Sequence, residues 1–458
     1  MFKKLNSPID MTVGKPWKSI VMFTIPMLIG NIAQQLYSTV DSIVVGNYVG
    51  DNALAAVGSV MPILNMLLVL FVGISAGASI MVSQYLGAKD RESLSYTVGN
   101  CITATIIASI ALMAVALPVL RPLLKLLNTP ASILDWCVDY LSISIIGIVG
   151  MAYYNILSGI LRGLGDSFSA LVYLLIATVI NIVLDIYFVA ALKMEVAGVA
   201  LATIIAQFVS AALCMLKLSK MRDFFDFGLK YMKPKAVYIK TIVRLGIPSG
   251  LTQAIFSSAM LVVQSLTNQF GEMFIAANVI VMRVDGFAMM PNFSFGMALT
   301  TYSGQNVGAN LYDRVTKGAK QGTLISVCCS ALITGVILIF GKYLMALFTN
   351  TKELVNMSTN LMRILAVGYI AMAVTQSLSG IMRGAGDTTT PMWISLITSV
   401  AVRVPLAYGI SYLTRTSSLP NGIKECIQIS LLCTWIIGAV LTFVFYRMGK
   451  WKTKAIKM

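Results

Sequence analysis

Apolar residues run along this chain in twelve long stretches separated by short polar connections. They lie near 18–46, 53–82, 94–118, 131–156, 168–190 and 196–216, and again near 241–269, 274–302, 320–340, 354–379, 390–413 and 426–446. Each is long enough to cross a hydrocarbon layer of about 30 Å as a helix. In lipid a backbone must satisfy its own N–H and C=O groups, which leaves helices and closed barrels as the spanning structures. The runs are too long for barrel strands and lack alternation of period two. The pattern predicts an all-α membrane protein of twelve transmembrane helices.

Composition agrees with this reading. Apolar residues make up 57% of 458 positions and charged residues 11%, against about 25% charged in soluble domains. The net charge of +16 invites a nucleic-acid reading. The basic residues, however, sit between apolar runs without the interleaved aromatics of a nucleic-acid surface. An even number of spans puts both termini on one side. That side collects 24 Lys and Arg, the other collects 7, and Arg283, Arg363 and Arg403 fall inside runs. The positive-inside rule then predicts a multi-pass protein of the cell membrane with both termini cytoplasmic. Residues 1–17 are polar and do not read as a cleaved signal.

The two halves repeat at a shift of about 221 residues. Ser158-Gly-Ile-Leu-Arg-Gly-Leu-Gly-Asp166 returns as Ser379-Gly-Ile-Met-Arg-Gly-Ala-Gly-Asp387, and Gln84-Tyr-Leu-Gly-Ala88 as Gln305-Asn-Val-Gly-Ala309. Ile25-Pro26 returns as Ile247-Pro248 with a one-residue slip. This predicts an N-terminal six-helix lobe over 1–217, a cytoplasmic linker over 218–240 and a C-terminal six-helix lobe over 241–458. Six spans per half keep one orientation, so the lobes should be related by a pseudo-two-fold along the membrane normal. Two such lobes can enclose a cavity that opens to either side in turn, which is the geometry of a carrier. The Gly-Arg motifs read as tight turns, with glycine ending one helix and Asp starting the next.

Acids inside the membrane are costly and need a reason. Asp41, Asp185 and Asp285 lie well inside apolar runs. Gln34, Tyr37 and Asp41 fall at i, i+3 and i+7 on one face of the first span. Asn181 and Asp185, at i and i+4, share a face of the fifth. Two carboxylates with amide and hydroxyl oxygens suit a small hard cation, and a close pair also suits a proton. The alternative is that these groups glue helices together. Asp285 reads either as the partner of a basic residue or as a lining of the C-terminal cavity. Arg403 reads as one half of an ion pair across the bundle. At the repeat shift, Asn181 and Asp185 fall on Val402 and Leu406, so the acid site belongs to the N-terminal lobe only. Pro26 and Pro248 interrupt the first and seventh spans at matching places. The chain has no histidine, and its seven cysteines lack metal or redox spacing. No metalloprotease or nucleophile-elbow motif occurs either, which argues against an enzyme.

Taken together, Ile25-Pro26, Asp41, Gln84-Tyr-Leu-Gly-Ala88 and its repeat, the two Gly-Arg-Gly-x-Gly-Asp turns and Arg403-Val-Pro-Leu406 resemble the multidrug and toxin extrusion family. The resemblance spans nearly the whole chain. Arg283-Val-Asp285 resembles its branch of DNA-damage-inducible exporters. The resemblance implies a secondary antiporter that exports amphipathic or cationic organic compounds in exchange for H⁺ or Na⁺, without a cofactor. It implies a coupling-cation site of Asp41, Asn181, Asp185 and Thr203, where Na⁺ could sit. Gln34, Tyr37, Asn155 and Asp285 would line the substrate cavity. The acids that another branch carries in its seventh and tenth spans are absent. Expected partners are small molecules and membrane lipids, without nucleic acid, acting on a monomer. A lipid-linked saccharide flippase on the same architecture is the alternative reading. It calls for a more cationic cavity than these few intramembrane arginines provide.

Overall fold

The computed structural model describes residues 8–127 and 129–456, with side chains described there except at positions 37, 38, 40–43, 46, 47, 51, 52 and 54. The described residues are almost entirely helical, with one isolated bridge between Thr416 and Leu419. Ten helices are long and apolar enough to cross a membrane, and two bent helix pairs complete the twelve spans.

The first three spans are single helices, Pro16–Tyr48, Asp51–Ala88 and Arg91–Leu126. The fourth is broken, with Ala131–Ile146 followed by Ile148–Gly163 at a bend of 50°. The tenth breaks at the corresponding place, with Lys352–Ala366 followed by Gly368–Gly384 at 44°. Gly147 and Gly368 mark these breaks, and both are pressed against a neighbour. A Cβ on Gly147 would meet Ile204, and one on Gly368 would meet Trp435. The fifth span, Ser167–Ile186, ends in a π-helical stretch, Tyr187–Ala191. The eleventh, Thr389–Leu413, carries one in its middle, Ile397–Val402. The remaining spans are Glu195–Lys220, Ala236–Thr267, Glu272–Gly308, Tyr312–Ala346 and Cys426–Arg447.

The chain forms two compact units. The first holds residues 1–10 and 25–250, and the second holds 11–24 and 251–458. Two of the three boundaries, after residues 24 and 250, thus fall inside the first and seventh spans, beside Pro26 and Pro248. Both prolines are followed by continued helix, so each of these spans begins in one unit and ends in the other. The stretch expected as a linker belongs to the first unit. It carries the short helix Leu229–Met232, and the seventh span starts soon after it at Ala236. The third span holds this stretch in place. Asn100 donates to the carbonyls of Tyr231 and Lys233 and accepts from the Lys235 amide at 2.7 Å, and Thr103 donates to the Met232 carbonyl at 2.6 Å.

Lipid tails are as apolar as leucine, so helices in a membrane associate through close packing rather than through release of water. The repeated motif supplies that packing. In the first unit Gly159 and Gly163 let the fourth span lie against Ser75 and Ser79 of the second span. In the second unit Gly380 and Gly384 let the tenth lie against Gly296 and Thr300 of the eighth. A Cβ at Gly163 would come within 2.7 Å of the Ser79 carbonyl oxygen. The turns after these helices need left-handed backbone, and Gly165 (φ 90°) and Gly386 (φ 95°) provide it. The next helices are then capped. Asp166 accepts from the Ser169 amide at 2.9 Å, and Asp387 from the Thr390 amide at 3.2 Å, an arrangement that typically stabilises a helix start by about 1 kcal/mol. The Gly-Arg motifs are therefore packing and turning elements, as their spacing suggests.

Candidate functional site

The fifth span brings Asn181 and Asp185 to the interior of the first unit. They lie one helical turn apart on one face, and both are fully buried. The sixth span packs along the fifth, and Thr203 comes from it. Asn181 donates its side-chain amide to the Thr203 hydroxyl at 3.4 Å. Three of the four residues expected to bind the coupling cation are thus placed on two adjoining helices, with two of them in direct contact. Asp185 stands just ahead of the π-helical stretch Tyr187–Ala191. Such wide turns displace the backbone locally and recur at functional sites. The donor set is hard oxygen, from a carboxylate, an amide and a hydroxyl, which suits H⁺ or a small alkali cation better than a transition metal. Among the described residues no group of three or more His, Cys, Asp or Glu could hold a metal ion.

Asp41 and Tyr37 lie in the first span, and their side chains fall outside the described residues. Gln34, on the same span, is exposed. Asn155 is half-buried, and its side-chain amide is spent on its own helix, donating to the Met151 carbonyl at 2.8 Å. Its backbone carbonyl accepts from Ser75 at 2.7 Å and Ser158 at 3.0 Å.

The second unit answers with different chemistry. Asp285, in the eighth span, accepts a hydrogen bond from the Tyr369 hydroxyl at 2.9 Å. It also feels the charge of Arg403 from the eleventh span. Arg403 is 5% exposed, and its guanidinium lies 6.0 Å from the centre of the Phe256 ring. Tyr369 is held in turn. Its carbonyl accepts from Asn292 at 3.2 Å, Ser330 donates to Asn292 at 2.6 Å, and its ring packs against Trp435 at 5.7 Å. Asp285 and Arg403 therefore sit in one electrostatic neighbourhood with Tyr369 between helices. Tyr369 was not singled out by the sequence, because a tyrosine in an apolar run is ordinary filler until its hydroxyl is seen to reach an acid.

The chain matches the family model MatE twice, over residues 26–187 and 248–409. It belongs to the MatE family. The two matched segments begin on Pro26 and Pro248, so the family unit follows the internal repeat, and each match takes in the first five spans of its half. Relatives extend over essentially the full length of this MatE protein. The protein YpnP of Bacillus subtilis, a probable multidrug resistance protein, is 29% identical over 443 residues, 97% of either chain. YoeA of the same organism, also a probable multidrug resistance protein, is 27% identical over 96% of this chain and 95% of its own. The multidrug export protein MepA of Staphylococcus haemolyticus is 21% identical over 81% of this chain and 82% of its own. Solved structures show the same fold. An outward-facing multidrug resistance MATE transporter superposes with a TM-score of 0.89 at 24% identity, covering 97% of this chain and 98% of that one. A MATE crystal structure in complex with MaL6 gives 0.88 at 24% identity over 96% and 97%. The family and its relatives are transporters, not enzymes.

Proposed function

We propose that this MatE protein exports amphipathic, often cationic, organic compounds by alternating access, in exchange for H⁺ or Na⁺ moving inward. The observation that carries the reading is the fully buried pair Asn181 and Asp185 on one face of the fifth span, with Asn181 bonded to the half-buried Thr203 of the sixth, in a protein whose relatives bear multidrug export names. Asp185, with Asp41 from the first span, binds the coupling ion. Asn181 and Thr203 complete its oxygen shell. A buried carboxylate without a cation is expensive in a bilayer, so loading and release of one small ion changes which conformation is favoured. Gln34, Tyr37 and Asn155 border the drug chamber. Both termini lie in the cytoplasm, as the 24 to 7 division of basic residues suggests.

Exchange of one monovalent ion for one monovalent drug moves no net charge, so the membrane potential, worth about 2.3 kcal/mol per charge per 100 mV, drops out. Two ions per drug would draw on it. The test is efflux of a fluorescent organic cation from cells expressing the protein. Asp41→Asn is expected to retain the dye like cells without the transporter. Efflux at the wild-type rate by that variant would remove Asp41 from the mechanism.

A further inference from the structure

Two arginines outside the candidate site stand in the first turns of matching helices of the repeat, two residues out of register, and do matching work. The motif Gln84–Ala88 is followed by Asp90-Arg91, and its copy Gln305–Ala309 by Asp313-Arg314; the connections are equal in length, so Arg91 aligns with Tyr312 and Arg314 lies two residues further into its helix. Arg91 opens the third span and Arg314 stands in the first turn of the ninth. Each spends all three guanidinium nitrogens on a distant stretch of chain.

Arg314 donates from Nε and Nη2 to the Met11 carbonyl at 3.2 and 3.1 Å, from Nη2 to Val13 at 2.6 Å and from Nη1 to Gly14 at 2.7 Å. Gln305 and Asn306 complete the grip, accepting from the Met11 amide at 2.9 Å and donating to its carbonyl at 3.1 Å. The captured stretch leads directly into the first span at Pro16. Arg91 donates from Nη2 to the Arg222 carbonyl at 2.6 Å and from Nη1 to Asp223 at 3.1 Å, and it forms an ion pair with Asp226 at 2.6 Å. Ser95 accepts from the Asp226 amide at 2.8 Å. This captured stretch leads into the seventh span at Ala236.

The first and seventh spans are the two that the compact units share. Residues 11–24 belong to the second unit with Arg314, and the first span continues into the first unit past Pro26. Residues up to 250 belong to the first unit with Arg91, and the seventh span continues into the second unit past Pro248. The start of the seventh span is further fixed within its unit by glycine contacts, Gly73 and Gly77 against Gly246 and Gly250. The start of the first span is fixed by the Trp17 amide donating to Gln321 at 3.2 Å.

We propose that Arg91 and Arg314 are paired positioning residues for transport, each fastening to one unit the beginning of a spanning helix whose remainder belongs to the other. A helix held this way passes on any rearrangement of its anchored end to the residues beyond its proline, and in the first span those include Asp41. A planar fork suits the task, because it presents five donors at fixed angles to several carbonyls, where an ammonium has three on a freely rotating head. The transport half of the proposal rests on the export reading above, whereas the anchoring half does not.

Amide hydrogen exchange and transport by Arg314→Gln and Arg91→Gln test it together. Arg314→Gln should speed exchange over residues 11–15 and leave 221–235 unchanged, and Arg91→Gln should do the reverse. Each should slow exchange transport of a fluorescent cation in liposomes about ten-fold, within the usual range of a coupling free energy, with the Kd for that cation in detergent unchanged. Arg→Lys at either place keeps the charge without the fork and should give the same pattern in weaker form, which also serves if a Gln variant fails to fold. Unchanged exchange in the captured stretch would overturn the anchoring. Faster exchange with wild-type turnover would overturn the role in transport, as would a loss of turnover matched by an equal loss of affinity. A wild-type protein that moves no organic cation would contradict the export reading instead, and the exchange data would still decide the anchoring.

Discussion

The two compact units are built from one repeat and differ where the repeat is polar. Gly159 and Gly163 have counterparts in Gly380 and Gly384, Gly165 in Gly386, Asp166 in Asp387 and the break at Gly147 in the break at Gly368. These residues set how closely helices approach and where the chain turns. The fifth span of the first unit then carries buried Asn181 and Asp185, where the eleventh span of the second carries Val402 and Leu406 with buried Arg403 beside them. One unit offers an acid among neutral oxygens, and the other a guanidinium whose charge faces Asp285. The difference teaches that the shared residues hold the scaffold and the unshared ones give each unit its own electrostatics.

Breaking the scaffold should have the largest effect and should strike both units alike. Gly163→Val and Gly384→Val each drive a side chain into a backbone carbonyl, of Ser79 and of Thr300. Neither is expected to yield a monodisperse protein on size-exclusion chromatography in detergent. Normal behaviour of one and collapse of the other would show that the units do not rely on the same packing.

Next in size is a contrast of stability. Arg403→Gln withdraws the cation that faces Asp285. It should destabilise the protein by about 1 kcal/mol, the usual size for a single substitution, since a longer-range attraction and not a direct ion pair is lost, read as a lower melting temperature in detergent. Adding Asp285→Asn should restore most of the loss. In the first unit Asp185→Asn should leave the melting temperature unchanged or raise it, since a site kept for an ion is not kept for stability. If Asp185→Asn proves as damaging as Arg403→Gln, then Asp185 is helix glue and the contrast between the units fails.

Thr203→Val keeps the shape of the side chain and removes its oxygen. Cation-driven transport should fall about three-fold through a weaker coupling-ion affinity, seen as a shift of the Na⁺ or H⁺ dependence. A maximal rate that falls without that shift would place Thr203 outside the ion shell.

The smallest effect is expected at Asp226. The hydrogen bond from Arg91 holds its carboxyl below the ordinary value of 3.8. A lowered folded-state pKa lends stability that is present above the unfolded value and lost as pH falls through the folded one. The pair is exposed, so Asp226→Asn should change melting only slightly at pH 7. The gap between variant and wild type should close below about pH 4. A gap that widens in acid would contradict the sign.

Much of this architecture was legible in the sequence, because spans long enough for a bilayer and a repeated glycine motif are both periodic signals. The acid face of the fifth span was legible for the same reason, since residues four apart must share a side. The break at Gly147 was not, because a glycine inside an apolar run looks the same whether the helix bends or continues. Nor was the exchange of the first and seventh spans between units, which depends on contacts far apart in sequence. Arg91 and Arg314 looked like ordinary loop charges, since the carbonyls they hold lie about 130 and 300 residues away and carbonyls leave no mark in a sequence. Asn155 was legible as a polar residue within a span, but the structure gives its amide to its own helix turn.

The central claim is that the coupling ion loads at the fifth-span carboxylate of the first unit. The direct measurement is uptake of a fluorescent organic cation by liposomes holding the purified protein, with pH and Na⁺ gradients imposed separately. The account predicts that at least one gradient drives the wild type and Asp285→Asn alike, and that Asp185→Asn responds to neither. Gradient-driven transport surviving in Asp185→Asn and vanishing in Asp285→Asn would contradict it.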